Sequence, residues 1–291
     1  MLEATFSPLI PTAESEFFYK NFYNQYSFIQ VNDAIIGYTI GILSEEQRAD
    51  LIDCLNNFDE DQNYAVASFI GTGIMNPALM RRRKENRGIS TELFSSLESK
   101  NIDSLGWYQR SIEFLMVYAV CEQAIKDYLT SKEIPNNSLK EDNILFKLFD
   151  RLQEDGLRKK FILELSEGSS AVLKSQNELI AVWHYYTHIR HTLAHTGGRT
   201  TDRAREAMDD SIKKNKKELE DISSAMFIEF VGLDDSDDSN FFENLLVGDI
   251  VNLSDKHLNF FRNVAVLIVE SIERTLHPNE YKIENFDPYK L

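Results

Sequence analysis

Apolar residues recur at spacings of three and four along most of the chain, and few stretches alternate strictly between apolar and polar residues. Such spacings place apolar side chains on one face of a helix, so the pattern predicts a mainly α-helical protein. Long helices are predicted over residues 15–42, 104–129, 140–156, 171–195 and 255–276. Ser254 opens the last of these helices as an N-cap residue, and Gly197 with Gly198 ends the fourth.

Shorter segments carry weaker helical signals. A capping box at residues 44–47 predicts a helix that continues to Leu55, and a further helix is predicted over residues 62–70. The segment 201–222 is charged nearly all round, which is typical of an exposed helix or a mobile arm.

The chain is predicted to fold as two regions. Residues 1–100 form a helical N-terminal region of unknown role, which contains the basic, loop-like stretch 81–87. Residues 101–291 form a helical bundle, in which the short apolar segments 225–233 and 245–253 could pair as a small β-hairpin. The expected fold class is therefore mainly α, with an additional helical N-terminal region beside the bundle.

Charge and cysteine content narrow the function classes. The net charge is −16 and the pI is about 4.8, so the chain does not coat nucleic acid non-specifically, and RNA would bind at a local basic patch. Cys54 and Cys121 lie in apolar helical contexts and favour a reducing cytosol over a disulfide framework. The start of the chain lacks a signal-peptide pattern, and no apolar run approaches the roughly 20 residues of a membrane span. We expect a cytoplasmic protein without a membrane partner.

Histidines are concentrated in one helix. Four of the six, His184, His188, His191 and His195, fall within about 60° of one another on an ideal helix. They could serve packing, or they could bind zinc or copper, because a His-x3-His spacing places two imidazoles on one face. A metal site would need further ligands, and no Cys or HExxH motif accompanies the histidines.

A third interpretation begins with the R-x4-H motif of Arg190 and His195, which lies near the end of a helix and is followed by Gly197 and Gly198. With the long amphipathic helix upstream and the late one downstream, this pattern resembles the HEPN superfamily of helical RNA-cleaving proteins over residues 104–278. The family's first long helix often carries a glutamate where Glu122 stands.

Two positions depart from patterns found in that superfamily. His191 follows the arginine where many members have Asn. Gly197 stands where the subgroup that pairs with minimal nucleotidyltransferases has Tyr, so a tyrosine-modifying partner is not indicated.

The motif is suited to cleaving RNA through its own 2′-hydroxyl group. His195 is expected to act as general acid and base, and Arg190 to hold the phosphate oxygens. His191 could orient the phosphate, and Glu122 could brace Arg190 or His195. No metal or other cofactor is required. The resemblance implies the same roles, and products with 5′-hydroxyl and cyclic or 3′-phosphate ends.

Helix geometry leads to a predicted homodimer. Residues five apart on a helix point about 140° away from each other, so Arg190 and His195 of one chain do not share a phosphate unless the last turn loosens. A two-fold dimer brings two such helix ends to one cleft, and the resemblance implies such a dimer. Candidate RNA-binding residues are Arg199, Arg203, Arg81, Arg82 and Arg83.

The predicted function is that of a metal-independent endoribonuclease. The resemblance implies a toxin or an antiviral defence effector, with an antitoxin or another regulatory partner. Two alternatives stay open at this point: a non-catalytic helical interaction module, and a metal-binding protein that uses the histidines of residues 184–195.

Overall fold

The computed structural model describes residues 8–42, 102–140, 143–169, 172–222, 251, 253 and 255–281. These residues contain eight α-helices: α1 (Phe17–Ile42), α2 (Ile102–Ser131), α3 (Ile144–Glu154), α4 (Arg158–Gly168), α5 (Gln176–Thr196), α6 (Asp202–Lys214), α7 (Lys216–Ile222) and α8 (Asp255–Leu276). A short 3-10 turn, Asn136–Ser138, follows α2. The helices hold 77% of the described residues, which confirms the prediction of a mainly α protein. None of the described helices is both long and apolar enough to pass through a membrane.

The chain divides into two compact units. Residues 1–32 and 109–291 make up the larger unit, and residues 33–108 make up the smaller one. The candidate site and most of the described residues belong to the larger unit. The sequence-based boundary at residue 100 lies outside the described residues.

An aromatic core joins α2, α5 and α8. Phe114 and Tyr118 of α2 contact Phe261 of α8 with ring centroids 4.7 and 5.8 Å apart. Tyr118 also stacks on Trp183 of α5 at 4.7 Å, and Tyr186 of α5 lies 4.7 Å from Phe261. All five side chains are buried. Burial of such large rings gives most of the apolar stabilisation at this three-helix contact.

Four of the other helices pack against α5 or α8. α3, α6 and α7 contact α5, whereas α4 contacts α8 and α3. The approach of α4 to α8 is close at Gly168, where an added Cβ would lie 2.7 Å from Leu267 Cδ2. The absence of a side chain at this position therefore sets the spacing of the two helices.

The segment before α1 is attached to the C-terminal end of α8. The Leu9 N–H donates to Glu270 Oε1 at 2.7 Å, and the Tyr19 hydroxyl donates to the Leu9 carbonyl at 2.8 Å. The hydroxyls of Ser15 and Tyr281 lie 2.6 Å apart. These hydrogen bonds tie the first described residues to the last ones.

Some sequence-based boundaries were wrong. α5 begins at Gln176, not near Ala171, because Ser175 and Glu178 form a capping box that fixes the start. α4 was not predicted as a helix at all, and the charged segment 201–222 forms two helices that are separated at Asn215.

Several predicted elements lie wholly or mostly outside the described residues. These are the helices over 44–55 and 62–70, the basic stretch 81–87 and the hairpin of segments 225–233 and 245–253.

Candidate active site

The candidate site lies at the C-terminal end of α5. Along most of its length this helix is buried on nearly every side, as expected for a helix at the centre of a bundle. Its C-terminal end differs, because His191 and His195 are exposed there. The R-x4-H motif therefore spans the point at which a buried helix emerges at the surface.

Gly197 ends α5 in a left-handed conformation, with φ +61° and ψ +33°. The N–H groups of Gly197 and Gly198 both donate to the Thr192 carbonyl, the second at 3.1 Å. The Gly198 carbonyl in turn accepts from the Val251 N–H at 2.9 Å. The predicted glycine stop is confirmed, and it anchors the helix end to the segment that precedes α8.

His191 and His195 form a pair of imidazoles on the exposed face of this helix end. Their ring centroids are 5.7 Å apart and their planes are nearly perpendicular, at 89°. The spacing of four residues places both rings on the same side of the helix. The structure thus brings together two of the predicted catalytic side chains within one chain.

His188 and His184 continue the same face toward the bundle interior and are half-buried. The His184 ring contacts Phe146 of α3 at 5.9 Å. Burial lowers the pKa of His188 to about 4, and the neighbouring His191 and His184 add to the decrease. His188 is therefore an uncharged imidazole at neutral pH, one turn before the exposed pair.

Arg190 occupies a different face of α5 and is half-buried. Its guanidinium carbon lies 5.9 Å from the centroid of the Tyr118 ring on α2. Around an ideal helix Arg190 is about 100° from His191 and about 140° from His195. The arginine therefore faces α2, whereas the two histidines face outward.

The sequence does not mark Tyr118 as a functional residue. It shows only that Tyr118 occupies one of the apolar positions of α2.

Glu122 lies one turn beyond Tyr118 on α2 and is 7% exposed. Its carboxylate forms an ion pair with Lys126, with Nζ and Oε1 2.5 Å apart. A Glu followed four residues later by Lys is the favoured helical ion pair, so the sequence contained a signal for this contact. The bracing of Arg190 or His195 by Glu122 stays a prediction.

Two of the predicted RNA-binding arginines are exposed near the site. Arg199 follows the glycine turn directly, and Arg203 lies in the first turn of α6. Arg205, two residues later, is 4.0 Å from Asp209, so part of its charge is balanced locally. Arg81, Arg82 and Arg83 lie outside the described residues.

Within the described part of the chain, no group of three or more His, Cys, Asp or Glu side chains is placed to hold a metal ion. Comparisons of the chain with protein-family models, with curated proteins and with solved structures found no match. The chemistry of the site therefore has to be inferred from the residues of this chain.

Proposed function

We propose that this protein is a metal-independent endoribonuclease of the HEPN type that works as a homodimer. The observation that carries the proposal is the exposed His191–His195 pair at the glycine-terminated end of α5, one residue from Arg190. Histidine and arginine together can move protons and balance phosphate charge without a metal.

His195 is the proposed acid and base. In the first step it takes the proton from the 2′-hydroxyl of the RNA, whose oxygen attacks the adjacent phosphorus. The bond from phosphorus to the 5′-oxygen then breaks, and an imidazolium returns a proton to that oxygen. The products are a 2′,3′-cyclic phosphate and a 5′-hydroxyl, so atoms and protons balance without a co-reactant. His191 contacts His195 and is suited to orienting the phosphate.

Arg190 is the proposed phosphate ligand. A guanidinium presents a planar fork of N–H donors to phosphate oxygens. Negative charge grows on those oxygens in the transition state, and a fixed cation there is worth about 100-fold or more in rate. Exposed Arg199 and Arg203 lie on the segments that follow and could hold neighbouring backbone phosphates.

The proposal of a homodimer follows from the different faces of Arg190 and His195. Side chains that leave a helix about 140° apart do not meet at one phosphate without distortion of the last turn. In a two-fold dimer, the arginine of one chain can work with the histidine of the other. The site would then be incomplete in a monomer.

The cellular role that we propose is that of a toxin or an antiviral defence effector. A nuclease of this kind harms its host unless it is controlled, so an antitoxin or another regulatory partner is part of the proposal. This part of the proposal is based on the resemblance to HEPN proteins.

Cleavage of mixed RNA in EDTA tests the proposed chemistry. We expect the wild type to cut, and we expect Arg190→Ala and His195→Ala each to lose about 100-fold or more in rate. His184→Ala is the matched control, because it removes a histidine from the same face two to three turns away, and it should keep most of the activity. Product ends are determined by phosphatase and kinase treatment.

Three results would contradict the proposal. Equal cleavage rates in the wild type and both variants would show that any cleavage activity comes from residues other than Arg190 and His195. Loss of RNA cleavage on addition of EDTA would indicate that the reaction needs a metal ion, bound by ligands outside the proposed site. No cutting by folded dimeric wild type, freed of bound partners, would favour a non-catalytic interaction module.

A further inference from the structure

Tyr118 is held in a fixed orientation between α2 and α5. Its ring stacks on Trp183 at 4.7 Å with an interplanar angle of 28°, and its hydroxyl lies 2.8 Å from Thr187 Oγ1. Thr187 Oγ1 also donates to the Trp183 carbonyl at 2.8 Å. The side chain is 1% exposed, so the ring has little freedom to rotate or tilt.

The same face of α5 carries Arg190. Trp183, Thr187 and Arg190 follow one another at spacings of four and three, which places all three within about 60° around the helix. The guanidinium carbon of Arg190 is 5.9 Å from the Tyr118 centroid, within the range of a cation–π contact. One aromatic side chain thus contacts three successive residues of this face.

We propose that Tyr118 is a positioning residue for Arg190 and helps to hold the guanidinium at the site where it meets the phosphate. This inference rests on the proposed function. Tyr118 touches neither the RNA nor the reacting atoms, so its effect on cleavage passes through the arginine.

An aromatic ring suits this task better than a carboxylate does. The ring attracts the cation through its face and occupies none of the five N–H donors of the guanidinium. A carboxylate would accept two of those donors and compete with the phosphate for them. An unrestrained arginine would also have to lose its side-chain freedom each time RNA binds.

The test compares Tyr118→Phe, Tyr118→Leu and Phe114→Leu in the full chain. Tyr118→Phe keeps the ring and removes the hydroxyl group, which contacts Thr187. Tyr118→Leu removes the ring. Phe114→Leu is the matched control, because it removes a buried ring one turn earlier on α2 that contacts Tyr186 and Phe261 more closely than it contacts Tyr118, at 5.8, 4.7 and 6.2 Å between ring centroids.

Two measurements are made on each variant. The first is the NMR resonance of the Arg190 Nε–Hε group in protein labelled with 15N-arginine, assigned by its loss in Arg190→Lys. A proton above a ring face is shifted by the ring current, so this signal reports the contact without requiring activity. The second is kcat and KM for RNA cleavage.

We expect the Arg190 resonance to stay in place in Tyr118→Phe and Phe114→Leu and to move in Tyr118→Leu. We also expect kcat to fall by up to about 100-fold in Tyr118→Leu and to stay within about threefold of the wild type in Tyr118→Phe.

An unchanged resonance in Tyr118→Leu would overturn the inference, and so would an equal loss of kcat in Phe114→Leu. If the wild type cleaves no RNA, the proposed function fails, and the resonance still decides whether Tyr118 holds Arg190.

Discussion

Each histidine of α5 has its own environment, although all four occupy one face. His195 and His191 are exposed at the helix end, whereas His188 and His184 are half-buried beside α3. The sequence predicted the shared face, because the spacing of three and four residues determines it. It could not predict the burial of each ring, because that depends on where α3 lies.

The sequence could not predict the contact between Arg190 and Tyr118 either. The contact joins positions 118 and 190 of two helices, and neither position carries a short motif for the other. The Glu122–Lys126 pair is different, because both members lie on one helix at the favoured spacing and could have been paired from the sequence alone.

The lowered pKa of His188 predicts a pH dependence of the free energy of unfolding. The folded pKa is lowered from 6.5 to about 4, mainly by burial, so between these values the unfolded chain binds a proton that the folded chain does not. The contribution of His188 to the free energy of unfolding therefore decreases as the pH falls from about 6.5 to 4. His188→Gln does not titrate and should lack this part of the pH dependence.

NMR titration of the imidazole resonances, with His188 assigned by its loss in His188→Gln, checks this directly. A midpoint near 4 is expected for His188. A midpoint near 6.5, or identical pH dependence of unfolding in the wild type and His188→Gln, would contradict the burial that lowers its pKa.

At the scale of the helices, the two ends of α5 were predicted with unequal success. The C-terminal end was predicted correctly from Gly197 and Gly198, since the left-handed conformation favours glycine. The predicted N-terminal end lies about five residues early, because the capping box of Ser175 and Glu178 begins the helix at Gln176. Helix ends are thus predictable where local chemistry fixes them and that chemistry is recognised.

Gly197 and Gly156 provide a matched test of the helix end. Both have positive φ, +61° and +71°, and an added Cβ would meet nothing within 4 Å at either position. Each glycine-to-alanine change should therefore cost about 1 kcal/mol in the free energy of unfolding, through backbone strain alone. Only Gly197→Ala should also slow RNA cleavage, by about tenfold or more, because only Gly197 lies beside the candidate site.

Thermal unfolding and cleavage rates of the two variants check this prediction. Gly197→Asn should recover part of both losses, because Asn tolerates the left-handed conformation. Equal cleavage rates in Gly197→Ala and Gly156→Ala would show that the geometry of the α5 end does not matter for cleavage.

At the scale of the whole molecule, the sequence predicted the helices better than their arrangement. The apolar periodicity identifies α2, α5 and α8 as bundle helices, yet it does not state that Phe114, Trp183 and Phe261 belong to one aromatic core. The hydrogen bond between Leu9 and Glu270 joins positions 261 residues apart. Local patterns do not encode such pairs, because many polar residues could serve equally well as partners.

The proposed dimer concerns the arrangement of two whole chains. Arg190 lies against Tyr118 and the histidine pair faces outward, so the proposed site combines an arginine from one chain with a histidine from the other. Two inactive variants that lack different residues should then complement each other when their chains exchange. An Arg190→Ala chain still carries His195, and a His195→Ala chain still carries Arg190.

The most direct measurement is RNA cleavage in EDTA by a mixture of Arg190→Ala and His195→Ala after subunit exchange. Each variant alone should lose about 100-fold in rate, and the mixture should cut at least about tenfold faster than either. Mixing either variant with the double variant Arg190→Ala/His195→Ala should give no such gain. No recovery, with exchange demonstrated by two different affinity tags, would contradict a shared site, and full activity of either variant alone would contradict the assignment of Arg190 and His195.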